Sequence, residues 1–176
     1  MTAARVLRYD DIEPMPWRNG QGVTRTLRAM SDVGGWALSI ATIEGPAAFS
    51  VIPSMQRVQL AIDAVRLEIE GDEVRLNSGE QVRFTGEQRV TGASAAVSSR
   101  VLNLMYADGA PELRLVVART VPQIPRAAEA VVVLAGSLET GDETLGPLDS
   151  VLFSGSPDHS RDFAGRGAFA VVLPRS

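Results

Sequence analysis

At 176 residues with 45% hydrophobic content, the chain has enough apolar surface for one compact domain or two small fused modules. It has no run of about eighteen apolar residues to cross a membrane as a helix, and no cysteine for disulfides, a thiol nucleophile or a thiolate metal site. Its net charge of -4, with acids and bases interspersed, argues against the clustered cationic surface that tracks nucleic-acid phosphates.

Met1 to Asp11 carries Arg5, Arg8, Asp10 and Asp11 and no apolar segment, so it does not read as a secretory signal. Together with the absence of cysteine this sets the expectation of a cytoplasmic protein. Met15 to Arg25 then gathers Trp17, Arg18, Asn19, Gly20, Gly22 and Thr24 within eleven positions. Asn19-Gly20 is a strong tight-turn dipeptide, because both residues tolerate φ > 0. A hairpin alone needs neither Trp17-Arg18 before the turn nor Gly22 after it. A backbone this bare also approaches a ligand closely, so a plain hairpin and a binding loop both stand open.

Short alternating runs follow. Trp36, Leu38 and Ile40 share one face against Ala37, Ser39 and Ala41; Val58, Leu60 and Ile62 repeat the pattern, as do Val65, Leu67 and Ile69 against Arg66, Glu68 and Glu70. Each is expected as a half-buried strand. Val74-Leu76, Val82-Phe84, Leu102-Leu104-Tyr106 and Leu113-Leu115-Val117 continue the series, with Gly, Asn, Asp and Ser between them. Val131 to Leu134 and Phe169 to Leu173 are apolar on both faces, as for fully covered strands. With no long helical periodicity, the chain is expected to be all-β.

An internal repeat sharpens this. Leu76 and Leu145, Val82 and Val151, Phe84 and Phe153, and Gly86 and Gly155 are each 69 positions apart, and Gly71-Asp72-Glu73 recurs as Gly141-Asp142-Glu143. Two homologous β modules are read from it, with Thr120 to Pro125 as the linker because its two prolines interrupt strand pairing. The expected division is 1–120 and 121–176, the modules sharing a core since each alone is short. From Val132 to Leu173 the second module resembles a cupin half-barrel: a strand ending at Gly136, a hairpin through Thr140-Gly141-Asp142, a turn at Asp149, a strand Val151 to Phe153, then Gly155 to His159. Cupins are double-sheet jelly rolls that hold small ligands.

Few residues suit catalysis. A cupin metal site draws on several histidines and a carboxylate, but His159 is the one histidine and its partner in the repeat is Val90, so no metal and no cofactor are expected. Asp158-His159-Ser160, as immediate neighbours, cannot form a triad on a strand, no Gly-x-Ser-x-Gly elbow occurs, and Gly20-Gln21-Gly22 opens no phosphate-binding helix. What remains suits binding. Asn103 lies on the face opposite Leu102, Leu104 and Tyr106, either satisfying backbone or meeting a ligand, and Arg57 reads equally as an edge charge or a carboxylate clamp. Arginine strongly outnumbers lysine, which favours bidentate clamping of acids.

Pro16-Trp17-Arg18-Asn19-Gly20-Gln21-Gly22-Val23-Thr24 resembles the opening signature of the HutD/Ves family, roughly Pro-Trp-Lys-Asn-Gly-Gly-Gly-x-Thr. The resemblance continues through Trp36 to Ala41, Gly45-Pro46 with Phe49-Ser50, Pro53 to Arg57, and Asn103-Leu104-Met105. It departs where Ala47-Ala48 interrupt Gly-Pro-Phe-Ser, where Ser54 and Gln56 replace Gly and Asp, and where Tyr106-Ala107-Asp108 lacks an arginine. The family implies a bicupin of two jelly-roll, double-stranded β-helix modules, and a link to histidine degradation. Carried onto the matching positions, it implies a ligand site of Trp17, Arg18, Asn19, Gln21, Thr24, Arg57, Asn103 and Met105. The expected role is non-catalytic binding of a small carboxylate such as N-formylglutamate, without nucleic-acid or membrane partners. The alternatives are a metal-independent cupin enzyme using Arg57 or Arg18 with His159 or a carboxylate, and an interaction protein whose sheet edges pair as a homodimer.

Overall fold

A computed structural model of the chain describes residues 3–32, 34–94, 97–154 and 163–175. They form sixteen strands and two single-turn 3-10 helices, Tyr9–Asp11 and Val121–Gln123. The strands are β1 (Ala3–Leu7), β2 (Met15–Pro16), β3 (Gly22–Arg28), β4 (Trp36–Ile43), β5 (Ala47–Ala48), β6 (Met55–Ala61), β7 (Val65–Ile69) and β8 (Asp72–Leu76). Then follow β9 (Gln81–Thr85), β10 (Val90–Ser94), β11 (Ser99–Ala107), β12 (Leu113–Ala118), β13 (Ala130–Thr140), β14 (Glu143–Leu145), β15 (Ser150–Ser154) and β16 (Phe163–Pro174). The chain is all-β, as the alternating runs predict. No helix among the described residues is long and apolar enough to cross a membrane.

Two units form. Glu13–Ala110 holds a six-stranded sheet, β2-β3-β4-β11-β6-β9, facing a four-stranded one, β5-β10-β7-β8. Ala41, Ile43, Ala61 and Val101 of the first sheet pack with Val65, Leu67 and Leu76 of the second, closing one end of the space between them. The other unit joins Met1–Ile12 to Pro111–Ser176 in one sheet, β1-β15-β13-β16-β12, with β14 beside β13. The units therefore do not divide at residue 120. Leu113 to Ala118 pairs along β16 and Ala3 to Leu7 along β15, so both ends of the first 120 residues belong with the C-terminal strands. The predicted linker forms the second 3-10 turn inside that unit, where the Gln123 side chain accepts from the Arg119 N–H at 2.7 Å.

The repeat is visible as geometry. Gly71 and Gly141 both sit at positive φ in the hairpins β7-β8 and β13-β14. In the next turn the Glu80 carboxylate accepts from the Asn77 N–H at 2.7 Å, and the Asp149 carboxylate accepts from the Gly146 N–H at 2.9 Å, again 69 positions on. Gly79 occupies the left-handed position of the first turn, and buried Leu148 occupies it in the second at φ 71°.

One expectation is corrected. Of the runs beginning at Trp36, Val58 and Val65, the last, β7, alternates buried and exposed as expected, whereas β4 and β6 are buried on both faces. Ala37, Ser39 and Ala41 are small or polar and so read as a solvent face, yet they line the interior of the double sheet, while Leu38, Ile40, Val58 and Leu60 on the reverse face are buried as well.

Candidate functional site

The Asn19-Gly20 turn forms as its residues dictate. Gly20 adopts φ 68°, the Trp17 N–H donates to the Gly22 carbonyl at 2.9 Å, and the Gln21 N–H donates to the Asn19 side-chain oxygen at 3.0 Å. A Cβ on Gly22 would lie 2.4 Å from the Thr42 carbonyl and 3.0 Å from the Trp17 ring, so only glycine lets β3 and the indole approach this closely. The indole Nε1–H then donates to Thr24 Oγ1 at 2.8 Å, and the ring meets Phe49 nearly perpendicularly at 6.0 Å. The hairpin is thus one wall of a cavity of about 690 Å³ in the unit Glu13–Ala110, within the range of small-molecule sites.

Register brings the remaining groups to the same sheet face. Met105 pairs with Arg57, and Asn103 lies between Ser39 and Gln59. Arg57 is buried at 9% exposure; its Nη1 donates to the Ser50 carbonyl at 3.2 Å, and its guanidinium lies 4.9 Å from the Phe84 ring and 5.8 Å from the Phe49 ring. Its Nε is buried without a partner, and among the described residues no carboxylate lines the cavity beside it. Burial pushes the Arg57 pKa down from the ordinary arginine value, though an arginine starts far enough above neutrality to keep its proton. A buried cation without a counter-charge is costly, and the cavity it faces is where an anion would relieve that cost.

Of the residues predicted from sequence, Trp17, Arg18, Asn19, Thr24, Arg57, Asn103 and Met105 line this cavity, Arg18 and Asn19 at its exposed rim. Gln21 does not. Its carbonyl accepts from the Glu44 and Gly45 N–H groups, and its side-chain oxygen packs over Gly45, where a Cβ would stand 1.8 Å away. His159, with Asp158 and Ser160, lies outside the described residues. No group of three or more His, Asp or Glu side chains among the described residues could hold a metal ion.

Sequence reasoning missed the far wall and a buried amide that neighbours the lining residue Asn103. Ser50 and Ile52 belong to a loop held by bonds from the Ile52 N–H to the Gly86 carbonyl at 2.8 Å, the Ser54 N–H to Glu87 Oε1 at 2.7 Å, and the Asp108 N–H to the Ser54 carbonyl at 2.9 Å. A Cβ on Gly86 would stand 1.8 Å from the Ile52 carbonyl. Gln59 is 1% exposed, and neither end of its amide has a hydrogen-bond partner. In sequence it is one polar residue between Val58 and Leu60, the ordinary signature of a solvent-facing position.

Comparison with known proteins agrees with this architecture. The HutD family model matches residues 9–171. The chain is 34% identical over 122 residues to an uncharacterized 21.2 kDa protein in the hutC 3' region of Pseudomonas putida, spanning 65% of this chain and only 64% of that protein. It is 29% identical over 150 residues to Protein Ves of Citrobacter koseri, spanning 79% of this chain and 78% of Ves. Among solved structures, HutD from Pseudomonas fluorescens SBW25 (formate condition) superposes with a TM-score of 0.78 at 26% identity, covering 99% of this chain and 100% of that one. The fold extends to a conserved protein of unknown function from Pseudomonas aeruginosa PAO1, with a TM-score of 0.76, 22% identity and coverage of 99% and 100%.

Proposed function

The chain belongs to the HutD family, linked to the histidine-utilisation locus, and from that premise we propose that it binds a small carboxylate such as N-formylglutamate without transforming it. The observation that carries this reading is Arg57, a buried guanidinium facing a cavity whose described lining holds no carboxylate. Arg18 at the rim adds a second cation, and Asn103, Thr24 and Ser39 add neutral polar groups. Binding rather than turnover is favoured because the described lining offers no imidazole or carboxylate to move a proton. A cytoplasmic setting, suited to a cysteine-free chain, is part of the proposal.

Thermal shift with tryptophan fluorescence, against N-formylglutamate, glutamate, urocanate, histidine and several sugars, tests it. An acid at a hundred times its dissociation constant adds about 2.7 kcal/mol, or about 5 to 10 °C in melting temperature for a chain of this size. Arg57→Met removes a charge-assisted contact and should weaken that acid by about 10- to 100-fold. The unliganded variant should melt no lower than the wild type, since an unpaired buried cation is lost with the contact. No shift from any acid, or full binding by Arg57→Met, overturns the reading.

A further inference from the structure

Across the six-stranded sheet of Glu13–Ala110, residues align in rungs. Ala61 and Val101 form a rung within the apolar core, and Arg57 and Met105 form one that lines the cavity. Between them lies the rung Ser39–Asn103–Gln59, on the same face. Ser39 and Asn103 reach the cavity, and Gln59 beside them is buried with both amide atoms unpartnered. A buried amide left unmatched on both its donor and its acceptor is a cost that proteins seldom carry without a use for it.

We infer that Gln59, buried directly beside the lining residue Asn103 rather than on the lining itself, sets ligand specificity by reading a neutral amide on the ligand, while Arg57 holds the ligand's carboxylate. This rests on the carboxylate-binding reading above. Arg57 and Gln59 are two residues apart on β6, so their side chains leave the strand roughly 7 Å from one another. A carboxylate and a carboxamide separated by three or four carbons reach both. The Gln59 N–H donates to the ligand's amide oxygen and the Gln59 oxygen accepts from its N–H, satisfying the two orphaned atoms together. A second carboxylate at that depth would meet the Gln59 acceptor oxygen with no proton to offer it, and a methyl end would leave both atoms orphaned.

The test is calorimetric titration with three five-carbon acids that differ only at the far end: glutaramate, glutarate and pentanoate. Wild type should bind glutaramate at least about tenfold more tightly than either of the others, the penalty of an unpaired buried polar group. Gln59→Leu should erase the preference over pentanoate while pentanoate binding itself persists. The same variant, by removing an orphaned amide, should raise the melting temperature of the unliganded protein by about 2–4 °C. That rise separates a lost contact from a lost fold. If Arg57→Met loses all three acids while Gln59→Leu keeps the wild-type ranking, the Gln59 assignment falls and the carboxylate reading stands. If wild type binds none of the three and none of the wider panel, or if Arg57→Met binds them like wild type, both fall.

Discussion

Two rungs, one from each unit, show how little separates a filled module from a hollow one. In the unit Met1–Ile12 with Pro111–Ser176, register aligns Val6, Val151, Val131, Val171 and Val116 across five strands, all in or against its apolar core. In Glu13–Ala110, a rung across five strands reads Thr26, Ser39, Asn103, Gln59 and Val82. The pairing geometry is of one kind and the side chains are not. Apolar β-branched residues fill the first rung, whereas the polar residues at the centre of the second, beside a buried arginine, border a cavity and leave hydrogen bonds unmet. A jelly roll does not bring a site with it; the interior-facing positions decide whether there is one.

The sharpest way to break that comparison is to exchange the rungs. Val131→Asn puts an amide with no partner into a fully buried apolar layer and should cost about 3 kcal/mol, seen as a fall in the urea midpoint. Asn103→Val, in the polar rung, should change stability by less than about 1 kcal/mol while weakening carboxylate binding. Equal costs at the two sites would mean the rungs do not differ as described.

A smaller contrast lies in the paired turns. Asp149, 15% exposed, accepts from the Gly146 and Tyr9 N–H groups, each at 2.9 Å, and pairs with Arg8, whereas the Glu80 carboxylate is exposed and accepts from Asn77. Asp149→Ala should therefore cost about 2 kcal/mol and Glu80→Ala about 0.5 kcal/mol. The acid limb gives the smallest effect. Desolvation alone would raise the Asp149 pKa, but hydrogen bonds from Tyr9 and Gly146, with Arg8, hold it below the ordinary carboxylate value. Side-chain hydrogen bonds from Arg100 do the same for Asp63 in the other unit. With both values depressed, the folded state binds fewer protons than the unfolded chain around and below the ordinary value of 3.8. The stability from these carboxylates is thus full above that value and lost as pH falls through the folded ones. Asp63→Asn should flatten the fall in urea midpoint from pH 5 to pH 3 only slightly, by less than about 1 kcal/mol, because the Asp63–Arg100 pair is more than a third exposed.

Much of this was legible in the residues and some was not, for physical reasons. Asn19-Gly20 carries its own turn, the spacing of 69 carries the paired hairpins, and Arg57 and Asn103 stand out as polar groups on strands. Gln59 and Ser39 do not, since alternation marks which residues share a face but not which face is inside when both are buried. Gln21 looked like a ligand amide because it sits in the signature, yet packing over Gly45 uses its side chain in the loop itself. The pairing of Ala3 to Leu7 with Ser150 to Ser154 joins segments nearly a whole chain apart, and no local pattern records such a partner.

The loop that holds Ile52 is fastened at Gly86, Glu87 and Asp108, and its Ser50 carbonyl already grips Arg57. The cavity wall is therefore built before any ligand arrives, and binding need not pay to order it. Its kinetics follow from that: association in stopped-flow tryptophan fluorescence should be a single phase with a rate linear in ligand concentration, and differences among acids should reside in how slowly each one leaves.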